Sequence, residues 1–159
     1  YLMRFSDKKE NDLEELLKIP IELRSNDQFK KIAEMCYSAY EVDPKNIFAM
    51  REMMTCSLHL WMSDNAIFWA DKILEIDECD LFALGTKASA LSDKGMHGKD
   101  KTSTQESVNI YKIILEIDEN NPANTRFWIS LGKPCHAWKN PEACFEASFN
   151  ELEQIPEPP

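Results

Sequence analysis

Ile73-Leu74-Glu75-Ile76-Asp77-Glu78 recurs without change as Ile114-Leu115-Glu116-Ile117-Asp118-Glu119. An exact six-residue duplication in a chain of 159 residues marks an internal repeat. A looser copy precedes it, Ala39-Tyr40-Glu41-Val42-Asp43-Pro44, and Asp43 stands 34 residues before Asp77. From Asp77 to Asp118 the step is 41, one such period plus seven residues. The excess falls in Asp93-Lys94-Gly95-Met96-His97-Gly98-Lys99-Asp100-Lys101-Thr102, whose two glycines and five charges predict a loop inserted between two helices. Ser103-x-x-Glu106 then predicts a capping box opening the next helix, with the hydroxyl accepting from a free backbone N–H and the Glu reaching back.

Outward from this centre the pattern is helical. The chain holds only four glycines, is 43% hydrophobic and 29% charged, and is rich in straight-chain residues that lose little rotamer freedom in a helix. Ala66, Trp69, Ala70, Ile73 and Leu74 recur at helical spacing and form an apolar stripe. Ala66, Ala70, Ala83 and Ala88 allow close helix approach, while Trp69, Phe82 and Leu84 fill volume.

Toward the N-terminus, Ser25-x-x-Gln28 predicts a cap before a helix over about Phe29 to Glu41. A preceding helix is expected around Leu13 to Leu23, and Pro20 must end, kink or restart it. Tyr1 to Phe5 suggest a short apolar element. Toward the C-terminus a fourth unit begins near Thr125, and Asn140-Pro141 announce its second helix as N-cap and first helical residue.

A period of about 34 residues made of helix pairs resembles the tetratricopeptide repeat family. Trp128-x-x-Leu131-Gly132 is similar to the family's W-x-x-L-G opening, and Pro156 falls 28 residues later, where its closing proline stands. Cys135, Cys144 and Ser148 depart from the pattern, as in a divergent end cap. The resemblance covers about residues 12 to 156, after an N-terminal extension 1–11 and before a tail 157–159, with units at about 13–46, 47–80, 81–121 (carrying the insertion 93–102) and 125–156. It implies an all-α, right-handed solenoid of about four antiparallel helix pairs.

The family's first helices line a concave groove, which directs attention to two rows. Phe48, Arg51, Glu52, Thr55 and His59 come from the second unit; Phe82, Gly85, Thr86 and Ser89 come from the third. Two aromatic anchors one period apart, with a cation, suit an extended peptide or a helix bearing apolar side chains, although such residues also serve as packing between helices. A family subset clamps a C-terminal carboxylate with Lys, Asn and Arg, but the matching places here carry Leu17, Ile21, Glu52, Phe82 and Thr86, which offer no cation fork. Lys94, Lys99 and Lys101 make the insertion the one locally basic stretch and a second candidate surface.

The implied function is a scaffold or adaptor that binds protein or peptide, as part of a larger assembly. The alternative is a non-catalytic accessory subunit of an enzyme complex, such as a ubiquitin ligase: Asn65-Ala66-Ile67-Phe68-Trp69-Ala70-Asp71-Lys72 resembles repeats of anaphase-promoting-complex subunits. The formal charge of −10 disfavours nucleic acid and anionic membranes as partners. Five widely spaced cysteines, Cys36, Cys56, Cys79, Cys135 and Cys144, suggest reduced thiols in the core, and no apolar run approaches 18 residues, so a cytoplasmic or nuclear protein without membrane insertion is expected.

Enzyme signatures are thin. Cys135-His136 with Cys144 lacks a fourth zinc ligand, and Cys56 with His59, one helical turn apart, lacks an orienting group. Phosphate-loop, dinucleotide, hydrolase-elbow and zinc-protease motifs are missing. No cofactor, metal or catalytic residue is therefore expected.

Overall fold

The computed structural model describes residues 7–118, and these residues are all-α, with no strand among them. In order they form α1 (Asp7–Leu17), a 3-10 turn (Ile21–Leu23), α2 (Asn26–Val42), α3 (Ile47–His59), α4 (Ser63–Leu74), α5 (Leu81–Gly98) and α6 (Lys101–Ile117). No helix among the described residues is long and apolar enough to cross a membrane. The chain divides into two compact units at Thr86/Lys87, inside α5. The expected apolar element at residues 1–5 and the fourth unit at 125–156, with its caps and its Cys135-His136/Cys144 set, lie outside the described residues.

In the first unit each of α1 to α4 packs on the next. Four residues link α2 to α3. Such a link reaches at most about 14 Å. The 17 residues of α2 rise about 26 Å, so the chain cannot return along that helix and the packed neighbours run antiparallel. Phe29, Ile32, Cys36 and Ala39 line the buried stripe of α2; Ala49, Met50, Met53, Met54 and Cys56 that of α3; Ala66, Ala70 and Ile73 that of α4. Ile32 and Ile73 are fully buried, each contributing about 1.5–3 kcal/mol relative to an exposed side chain.

The helix ends explain how the sequence pattern is realised. Ser25 caps α2 by accepting from the Gln28 N–H, and the Gln28 side chain accepts from Ser25 N–H at 2.8 Å, the expected reciprocal box. The helix expected over Leu13 to Leu23 instead ends at Leu17, because Pro20 has no N–H with which to continue it. Arg24 then satisfies the stranded carbonyls, donating through Nε to Ile19 O at 2.9 Å and through Nη2 to Leu17 O at 3.2 Å.

The 34-residue step is visible bond by bond. Asp43 N–H donates to Ala39 O at 3.0 Å, and Asp77 N–H to Ile73 O at 2.9 Å. Asp43 Oδ1 accepts from Lys45 N–H and Asp77 Oδ1 from Cys79 N–H, both at 3.1 Å. Asn46 then accepts from Ala49 N–H, and Asp80 from Ala83 N–H, to start α3 and α5. The duplicated Asp is therefore a corner residue whose side chain turns the chain and prepares the next cap.

Two helices end with a non-glycine residue in the left-handed region. Trp61 has φ 59, and Met62 N–H reaches back to Ser57 O at 2.9 Å; Lys99 has φ 52, and Asp100 N–H reaches Gly95 O at 3.0 Å. Both are the six-to-one closure that usually employs glycine at that place.

In the second unit, the loop expected at 93–102 is not one. Residues 93–98 complete α5, only Lys99 and Asp100 link the helices, and Lys101 begins α6. Gly95 acts as a contact rather than a breaker: a Cβ there would stand 2.2 Å from Thr104 Oγ1. The expected cap at Ser103 is also replaced. Asp100 caps α6, accepting from Thr102 N–H at 3.0 Å, while Ser103 lies inside the helix and donates to Asp100 Oδ2 at 2.6 Å. A carboxylate at a helix N-terminus gains from the macrodipole as well as from the hydrogen bonds.

Candidate functional site

Most of the row expected to face a partner is engaged inside the fold. Phe48 is half-buried against the core of the first unit. Arg51 donates to Asp80, and its guanidinium lies 5.9 Å from the Phe82 ring centre. Glu52 faces Arg24 at 3.8 Å, within ion-pair range but too far for a hydrogen bond, leaving Arg24 Nη1 and Glu52 Oε2 buried without one. Burial raises the Glu52 carboxyl above its ordinary value, against the opposing pull of Arg24. His59 is stacked on Phe29, ring centres 4.9 Å apart and 5° from parallel. Thr55 is half-buried and Thr86 buried.

What stays open is a smaller patch. Phe82 is 51% exposed and its neighbour Arg51 is also exposed, while open space lies where a Cβ on Gly85 would stand. The repeat-equivalent rings thus part company, Phe48 turned into the fold and Phe82 displayed. In the second unit Ser89 is half-buried, with Oγ 3.4 Å from the Tyr111 hydroxyl. Lys94 and Lys99 are exposed and Lys101 is half-buried, spread over the end of α5, the link and the start of α6 rather than gathered on a loop.

The thiols are unequal. Cys36 and Cys56 are buried, and burial pushes both upward, Cys56 to about 12, so neither is a thiolate near neutrality. Cys79, expected in the core, is exposed, because it belongs to the corner after Asp77 rather than to a helix stripe. Among the described residues no group of three or more His, Cys, Asp or Glu is placed to hold a metal.

A second feature was not foreseen from the pattern. A cleft of about 620 Å3 opens between α2, α3 and α4, lined on α2 by Lys30, Glu34 and Tyr37 and on α4 by Asn65 and Trp69. Trp69 meets Tyr37, Tyr40 and Phe68 edge-on, with ring centres 6.4, 5.0 and 5.0 Å away. Leu60 and Met62 also line the cleft, and Trp61 between them is 77% exposed. Its lining comes from three helices, and the left-handed turn that displays Trp61 carries no glycine to announce it.

Comparison with family models, curated proteins and solved structures finds no match to the chain.

Proposed function

We propose that the chain is a tetratricopeptide-type stack that serves as a protein-binding scaffold or adaptor within a larger assembly. The repeated Asp43/Asp77 corner, the antiparallel packing of α2 on α3, the packing of each of α1 to α4 on the next and the exact sequence duplication support the repeat reading. The partner engages the face formed by α3 and the start of α5. One observation carries this: Phe82 is half exposed beneath a guanidinium that Asp80 already holds in place.

An aromatic side chain displayed in a fixed position suits a hot spot, because little freedom remains to be lost on binding. Its flat ring, with Arg51 over one face and Gly85 leaving room beside it, accepts an apolar or aromatic side chain of an extended peptide or helix. Affinity capture of partners from the source cells, wild type against Phe82→Ala, tests the proposal. Loss of the captured proteins with an unchanged melting temperature supports it; equal recovery by the two chains refutes it.

A further inference from the structure

Among α1 to α4, α1 is the most lightly held. It has 11 residues, and isolated helices shorter than about 12–15 residues are marginal in water. Its last turn carries Glu14 and Glu15 and no basic residue, so these charges oppose the helix dipole. Among its described side chains Leu13 alone is buried, with Leu16 and Leu17 packed beside it on the core. Toward the start of α1 the seam with α2 opens into a polar cleft of about 320 Å3, lined by Lys9 and Asp12 on one side and Lys31, Glu34 and Ser38 on the other.

The other end of α1 is closed by one side chain. Arg24, 6% exposed, donates to Leu17 O and Ile19 O and so caps the helix, while its third nitrogen faces Glu52 on α3. That last contact is long, 3.8 Å, so the pair has charge attraction without a hydrogen bond. Burying an ion pair costs hydration that close geometry must offset. The next helix needs nothing from α1 to begin: Ser25 and Gln28 form its capping box, and the backbone at Arg24 is extended, with φ −73 and ψ 132. The chain therefore has a joint beside Arg24, between a helix end that depends on this side chain and a helix start that does not.

We propose that residues 7–24 form a latch: α1 and the 3-10 turn come away from the first unit while α2, α3 and α4 stay folded, and the Arg24–Glu52 pair is the catch. Opening returns the guanidinium and the carboxylate to water and uncovers the seat of Leu13 in the core. Such an opening requires less free energy than unfolding of the whole unit, because it gives up one buried side chain and one cap. The inference concerns a motion within the first unit and does not depend on the Phe82 face or on protein binding.

Native-state hydrogen exchange of the full chain, read residue by residue by NMR, is the test. The Lys18 N–H, bonded to Glu14 O at 3.1 Å, and the amides within α1 report the latch, while amides within α3 report the core. The expected result is that α1 exchanges about a hundredfold or more faster than the slowest amides of α3, yet slower than an unstructured peptide. Its rate should change little in dilute urea, since little surface is exposed by the opening. Ile73→Val weakens closed and opened forms alike, so it should speed α3 and leave α1 unchanged. Arg24→Ala should speed α1 about tenfold or more, and Arg24→Lys, which keeps the charge but loses the fork, should act in the same direction. Equal protection of α1 and α3, or equal acceleration of both by Ile73→Val, means that α1 opens only with the whole unit and overturns the proposal. An α1 that exchanges like an unstructured peptide, or is indifferent to the Arg24 variants, overturns it too.

Discussion

Arg51 on α3 donates to Asp80, the residue that caps α5, and lies over the ring of Phe82 two positions further on. One carboxylate thus starts a helix, holds a neighbouring helix by its guanidinium and, through that guanidinium, steadies a displayed aromatic ring. Asp80 can do so because its side chain is almost fully buried at the corner, where Oδ1 takes the Ala83 N–H and Oδ2 takes Arg51.

Asp80→Ala removes cap and counter-charge together and should lower stability by about 1–2 kcal/mol. Asp80→Asn keeps the acceptor for Ala83 N–H and should recover most of the cap while leaving Arg51 less firmly held. Urea denaturation of the three chains reads the difference. Equal stability of Asp80→Ala and wild type contradicts the assigned role.

Gly95→Ala should destabilise by about 1–3 kcal/mol, since the new methyl meets Thr104 Oγ1 at 2.2 Å and Thr104 N at 3.0 Å. Thr104→Ala in the same chain removes only the first clash and should restore part of the loss. Thermal melting of the single and double variants checks this; a Gly95→Ala chain as stable as wild type means that the residue is an ordinary helix position.

Lys99→Gly and Trp61→Gly should each raise stability, by about 0.5–1 kcal/mol, because both residues occupy the left-handed region at a helix end. Differential scanning calorimetry measures the gain. A loss at Trp61 would show that its side chain supports the fold.

The pH dependence has two opposing contributions. Burial raises Glu52 in the folded chain, so the stability linked to it is fully present below its unfolded value and is lost as pH rises through the folded one. Asp100 moves the other way: hydrogen bonding by Ser103 holds it low, so its contribution is present above its unfolded value and is lost as pH falls through the folded one. Glu52→Gln should flatten the decline on the higher-pH side, and Ser103→Ala should weaken the acid-side loss. Denaturation midpoints measured from acid to neutral pH distinguish the two.

Much of the local architecture is legible in residues whose physics is local. Ser25 and Gln28 specify their own cap, Pro20 breaks the helix that precedes it, and the Asp43 and Asp77 corners follow from side chains bonding two residues onward. Ala66, Ala70 and Ile73 share a face by spacing alone and are buried. The misreadings have non-local causes. Gly95 and Gly98 suggest a break, yet α5 continues through them, and what Gly95 supplies is room for Thr104 on the facing helix. Ser103 looks like a cap because the better acceptor, Asp100, lies three residues earlier among charges that resemble a loop.

The candidate site was harder to foresee. Arg51 reads as a cation for a ligand until Asp80, 29 residues away, is brought beside it. Glu52 and His59 are likewise taken by Arg24 and Phe29, which the pattern of their own helix does not reveal. The cleft beside Trp61 depends on three helices and on a backbone angle that the residue type disfavours.

Hydroxyl-radical footprinting of the full chain, alone and with its captured partner, tests the protein-binding claim most directly. It reports the solvent access of individual rings, and Phe82 at 51% and Phe68 at 50% exposure give two probes of closely similar starting exposure on different helices. The account predicts that oxidation of Phe82 falls severalfold in the complex while Phe68 serves as the comparison. A Phe82 that oxidises at the same rate with and without partner contradicts it.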